Sequence, residues 1–196
     1  MDLILLQFGS DDFKKPVLDL RGAGSVSLID GEEGPNWSVL DSPGFDANRC
    51  VELVSINQGI KQQVTTDVSN SARTSGRPTI SDFTCVKYVD MSSPKMYDHC
   101  LRALPLDTEG GAPTTIFVLC NSGDQLNIIM RFELRLAMIS EIQFQSNPND
   151  MPTEQFKLNF TEIAWLHKSQ GAGVTNEGFS SAAWSIAKNR PIAKLS

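Results

Sequence analysis

The chain has 196 residues, 40% of them hydrophobic and 20% charged, enough for one domain with its own core and too ordinary for a fibrous or wholly disordered protein. Its formal charge of -6, with no run of Lys or Arg, argues against a nucleic-acid surface, which needs a basic stripe to neutralise phosphates. No stretch approaches the ~20 apolar residues of a membrane-spanning helix.

The first residues, Met1 to Phe8, have an acidic second position and too short an apolar run for a signal peptide, and they read as a first β-strand. The expectation is a soluble cytoplasmic chain whose export, if any, uses a route that takes folded protein. From Phe13 to Arg49 there is little strand pattern, and Gly22-Ala23-Gly24 does not stand at a strand-to-helix phosphate loop. Cys50 to Val64 and Thr79 to Val89 read as strands, separated by a Ser-, Thr-, Asn- and Gly-rich loop over Thr65 to Pro78.

A strand then runs into Asp90, and Ser93-Pro94 opens a helix to about Ala103. Ser93 has the side chain of an N-cap, and Pro94 suits the first helical position, where its missing N–H costs nothing. Thr114 to Cys120 is a β-branched and aromatic run that fits a central strand. From Leu126 to Phe144 every even position but Ser140 is apolar, while Ile129, Ala137 and Ile139 interrupt the polar face, so one face is expected to be buried and the other largely wet. That run, about 19 residues against ~5–6 for an ordinary strand, predicts a bend, a bulge or a strand shared between two sheets. In Glu154 to His167 the apolar phase shifts near Glu162, which a bulge or a doubly buried strand would explain. The fold expected is mainly β: one domain over residues 1–196, an antiparallel β-barrel or sandwich with one short helix packed on its outside.

Chemistry finds few candidates. Cys50, Cys85, Cys100 and Cys120 include no C-x-x-C pair and read as reduced, buried thiols, with a disulfide or an intermolecular bridge as the alternative. His99 and His167 are the only histidines. His99 neighbours Cys100, but adjacent helical residues point about 100° apart and do not form a nucleophile–base pair. No metal-ligand spacing and no cofactor loop is visible, so neither catalysis nor a cofactor is expected.

Four motifs in order carry a resemblance. Lys87-Tyr88-Val89-Asp90 followed by Ser93-Pro94 resembles the K-Y-x-D-x-x-[ST]-P signature of the haemolysin-coregulated proteins, the tube subunits of bacterial type VI secretion. Phe132 to Ser140 resembles that family's long strand, and Glu154 with Leu158-Asn159-Phe160 resembles its E-x-[VF]-x-L-N-F element. Trp184-Ser185-Ile186 with Asn189 resembles its closing strand. Two features depart from the pattern. The Phe13 to Arg49 segment is longer than the usual connection, and Ser55-Ile56-Asn57-Gln58-Gly59 keeps the serine and glycine of an aromatic-rich element but not its tryptophans.

The resemblance implies a divergent tube subunit: a homo-oligomer forming hexameric rings that stack into a conduit, with other secretion-apparatus components and effector proteins as partners, and effectors sheltered in the ring. It implies no enzymatic role and release through the type VI apparatus from the bacterial cytoplasm. By region alone, Arg73 and Arg77 in the Thr65 to Pro78 loop become candidates for ring-stacking contacts. A phage-type tail-tube protein, or an effector that borrows the tube fold and uses the 13–49 segment, are the alternatives. Some 37 residues are too few for an independent core without metal or disulfides.

Overall fold

The computed structural model describes residues 3–13, 45–46, 49–62, 64–67, 72–122, 125–168 and 179–193. Most of the 13–49 segment set apart in the sequence therefore lies outside the described residues. In chain order the strands are β1 (Leu3–Gln7), β2 (Cys50–Leu53), β3 (Ser55–Asn57), β4 (Ile60–Lys61), β5 (Val64–Asp67), β6 (Ala72–Ser75), β7 (Thr79–Ile80) and β8 (Phe83–Tyr88). After helix α1 (Ser93–Leu101) come β9 (Thr114–Ser122), β10 (Gln125–Arg135), β11 (Met138–Gln145), β12 (Thr153–Asn159), β13 (Glu162–Lys168), β14 (Phe179–Ser185) and β15 (Arg190–Pro191).

The strands form an antiparallel sandwich. One sheet runs β15-β14-β13-β10-β9-β1-β2, and the other runs β11-β12-β8-β3. The chain passes between the sheets at Val54, at Leu136–Ala137 and at Phe160–Thr161. The core between them is built on Leu6, Leu53, Phe83, Ile116, Phe156 and Ile163, with Met96 of α1 closing one end. The outer side of the larger sheet carries a second apolar cluster, in which Leu5, Phe117 and Leu119 are buried and Phe45 stands edge-on to Phe117.

The even-numbered run from Leu126 divides at a corner. Leu136 has φ +49 there, and the buried carboxylate of Asp107 accepts the N–H groups of Leu136 at 2.9 Å and Ala137 at 2.8 Å, so two corner donors are satisfied by one side chain. Past the corner the buried positions are Ala137 and Ile139, while Leu136 and Phe144 are 38% and 60% exposed. Register shifts at Ile128/Met130 and Ile139/Glu141 place bulges at Ile129 and Ser140. The break expected in the long run over Leu126 to Phe144 is therefore one corner and two bulges, because the run serves both sheets.

The phase shift near Glu162 is likewise a corner between sheets, at Phe160–Thr161, rather than a bulge or a doubly buried strand. The two corners interlock: Thr161 N–H donates to the carbonyl of Arg135 at 3.0 Å, and Ile186 N–H donates to that of Thr161 at 2.9 Å. Cys50 to Val64 is also more broken than its composition suggests, holding β2, β3, β4 and the first residue of β5.

The Thr65 to Pro78 stretch, expected as a loop, is instead part of a β-hairpin arm. Val64 to Asp67 pair with Ser75 to Ala72, and Ile60-Lys61 pair with Ile80-Thr79 below them. Ladder hydrogen bonds between two polar strands suffice for this, and a ladder needs no apolar alternation to mark it. Helix α1 ends at Leu101, short of Ala103, and its N-cap is Ser92 with no side-chain capping bond, so Ser93 is already helical and Pro94 sits one place further in.

Candidate functional site

Ser93 is the first residue of α1 rather than its N-cap, and its hydroxyl is used elsewhere. Along β8, Phe83, Cys85 and Lys87 face inward. Along β12, Glu154, Phe156 and Leu158 do the same. Lys87 and Glu154 are directly opposed in the β8–β12 ladder, both 0% exposed, with Nζ 2.7 Å from Oε1. Ser93 Oγ donates to the same Glu154 oxygen at 2.7 Å and accepts from Lys87 Nζ at 3.2 Å and from Asp90 N–H at 3.1 Å.

Asp90 adds a second carboxylate 2.8 Å from Lys87 Nζ and accepts the Ser92 N–H at 2.8 Å, so the turn into α1 is fixed by the same group that shares the lysine. Tyr97, one helical turn on, donates its hydroxyl to Glu154 Oε2 at 2.8 Å. Lys87 Nζ further donates to the Tyr88 carbonyl at 3.1 Å. Every polar atom of the pair thus has a partner, the condition under which a buried ion pair is tolerated. Burial first, and then the hydrogen bond to Glu154 and its charge, push the Tyr97 hydroxyl up to about 12.

A serine beside a lysine also has the composition of a nucleophile and its base. A base needs a free lone pair, and Lys87 Nζ is paired with two carboxylates, while Ser93 is sealed between α1 and β12. The cluster is a joint that locks the helix to two strands. His99 is buried against Phe13 at 4.8 Å between ring centroids, away from any nucleophile pairing with Cys100, and His167 is exposed. All four cysteines are free thiols. Burial raises Cys85 to about 12, and burial with the nearby Asp46 carboxylate raises Cys50 as well. Among the described residues no group of three or more His, Cys, Asp or Glu side chains could hold a metal ion, and no helix is long and apolar enough to cross a membrane.

The remaining motif residues scatter. Leu158 and Phe160 are core. The Tyr88 ring is half exposed, Pro94 is exposed, and Asn159 reaches Asp82 on the solvent side of the smaller sheet at 2.8 Å. Trp184, partly buried on β14, packs against the main core. Arg73 stands opposite Thr66 in the arm, and Arg77 at the arm's root donates to the carbonyl of Ile186 at 2.8 Å.

Sequence reasoning named Lys87, Asp90, Ser93 and Glu154 but did not bring them together, and it missed Tyr97 and Asp107. A signal for the ion pair was present: one lysine and one glutamate each occupy an inward slot of an otherwise apolar alternation. Charges in such slots need each other.

A family model described as type VI secretion system effector, Hcp, matches residues 46–167, a stretch that contains the whole Lys87–Glu154 joint. The chain belongs to the Hcp family. Proteins of this family are secreted by the type VI system. Among curated proteins compared by sequence, none matches. The Hcp fold is clear in solved structures. A structure of a type six secretion system protein is 13% identical with a TM-score of 0.68, covering 98% of this chain and 100% of that one. Hcp1 from Salmonella typhimurium is 12% identical with a TM-score of 0.61, covering 97% and 99%. Hcp3 from Pseudomonas aeruginosa is 11% identical with a TM-score of 0.58, covering 92% and 97%. At such identities the likeness is one of fold, and this chain is a divergent Hcp.

Proposed function

We propose that this Hcp chain is a structural subunit of the type VI secretion tube, closing into hexameric rings that stack into a hollow conduit and shelter effector proteins. The observation that carries the reading is the family match over residues 46–167, which takes in the joint, the smaller sheet and part of the larger one. The sandwich supports it by offering what a heterologous ring needs, since β2, β15, β11 and β3 end their sheets and can meet different elements of a neighbouring copy. The subunit itself makes and breaks no bond. It folds in the cytoplasm, leaves through the type VI apparatus, and works as one domain with residues 13–49 as an addition. The arm bearing Arg73 and Arg77 reaches toward the next ring, and Lys87, Asp90, Ser93 and Glu154 keep α1 in place while copies assemble.

Light scattering with negative-stain microscopy on the purified protein tests this. A closed six-fold ring with an open centre is expected at micromolar concentration. A monomer at that concentration would sink the tube reading.

A further inference from the structure

An open notch of about 530 Å³ lies where the root of the arm meets the end of the larger sheet, lined by Gln62, Gly76, Arg77, Pro78, Trp184 and Asn189. Its geometry is fixed from two sides. Gln62 Nε2 donates to the Gly76 carbonyl across the two arms of the hairpin, and Arg77 Nη2 donates to Ile186 in the turn that leads to β15. Asn189 holds that turn with φ +50, a conformation asparagine tolerates better than most residues.

The guanidinium has five N–H donors, and among the described residues only the Ile186 carbonyl engages it, with no carboxylate in an ion pair. The notch therefore combines a positioned cation, two side-chain amides and an indole wall, the donor set that suits a carboxylate. With 23 Asp and Glu against 17 Lys and Arg, the charged group a second copy most often presents to such a cationic point is a carboxylate.

We infer that the Arg77–Asn189 notch receives an acidic side chain of a second copy of this chain. The inference rests on the assembly reading and adds to it the chemistry of one contact. Arg77 is held in the receptor by the body of its own subunit, and a carboxylate enters between the guanidinium and the Asn189 and Gln62 amides.

The test compares wild type with Arg77→Glu and Asn189→Asp by sedimentation and negative-stain microscopy over a concentration series, with circular dichroism as the folding control. Asn189→Asp keeps a residue that accepts positive φ and leaves the Arg77–Ile186 bond in place, while adding a negative charge beside the guanidinium. Both variants are expected to fold normally and to need at least about tenfold more protein to assemble, because repeated contacts multiply a modest loss. An Asn189→Asp protein that assembles at the wild-type concentration overturns the inference even if Arg77→Glu fails, since Arg77→Glu also releases the arm root. A wild type that stays monomeric removes the assembly reading and this contact together, whereas a wild type that assembles alongside an indifferent Asn189→Asp removes the notch alone.

Discussion

Lys87 and Glu154 occupy positions where leucine or valine would serve the strand pattern, and their cost is offset only while each keeps the other. Lys87→Met is expected to destabilise by ~3–5 kcal/mol, because Glu154 is left charged and buried, and Lys87→Met with Glu154→Leu to recover much of that loss. Urea denaturation of both variants checks it, and a double variant no better than the single would show that the pair is not the source. Tyr97 supplies a pH test at the same cluster. Its hydroxyl is raised above the ordinary 10.0 to about 12, so its contribution is fully present below the unfolded value and is lost as pH climbs through that window. Tyr97→Phe should flatten the alkaline fall in stability, read by urea denaturation across that window, and an unchanged fall would assign it to another group. The inward alternation of β8 and β12 makes both charged slots readable in the sequence. That they face each other depends on strand register, which sits between residues 67 positions apart.

Among the elements, the decisive ones are the corners. Leu126 to Phe144 is legible as a long β run with a break in it, and both Ser140 and Ile129, where the pattern falters, turn out to be bulges. The corner itself has no local marker, since Leu136 carries positive φ without being Gly or Asn and is held there by Asp107 from a distant turn. Leu136→Gly should be neutral or stabilising by up to ~1 kcal/mol in thermal melts, the strain relieved outweighing a half-exposed side chain. Asp107→Asn should cost ~1–3 kcal/mol, because its amide turns a donor toward one of the two corner N–H groups.

Burial raises the Asp107 carboxyl above 3.8, with its backbone hydrogen bonds and Arg135 pulling the other way. Protonation therefore favours the folded state. The group's contribution is complete below the unfolded value and lessens as pH rises through the raised one, so the stability gap between wild type and Asp107→Asn should narrow across that interval. Stability measured by urea denaturation across acid pH would show the narrowing, and a pH-independent gap would assign the effect to geometry alone.

For the whole molecule, the arm is where folding and the proposed assembly can be tested apart. Its root is closed by the Gly59 and Ser81 hydrogen bonds; Ile60 and Val64 on it are more than half or half exposed, while Ile80 is partly buried against the main core. Joining Gly59 to Ser81 through a short turn should leave the melting temperature within a few degrees of wild type while abolishing higher-order assembly, read by circular dichroism and light scattering. A collapse of the fold would show that the arm belongs to the core, and unchanged assembly would show that copies meet elsewhere.

By itself the sequence determined the β class, the helix opened by Ser93-Pro94, and the motif order that marks an Hcp chain, because period-two patterning and short-range turn chemistry are local properties of a chain. Tertiary structure alone decided where the long strand turns, that a polar stretch becomes a paired arm, and that Ser93 gives its hydroxyl to a buried glutamate instead of capping the helix. Those outcomes depend on which donors and charges distant segments bring together, and the requirement that buried polar groups be satisfied acts only once they have met.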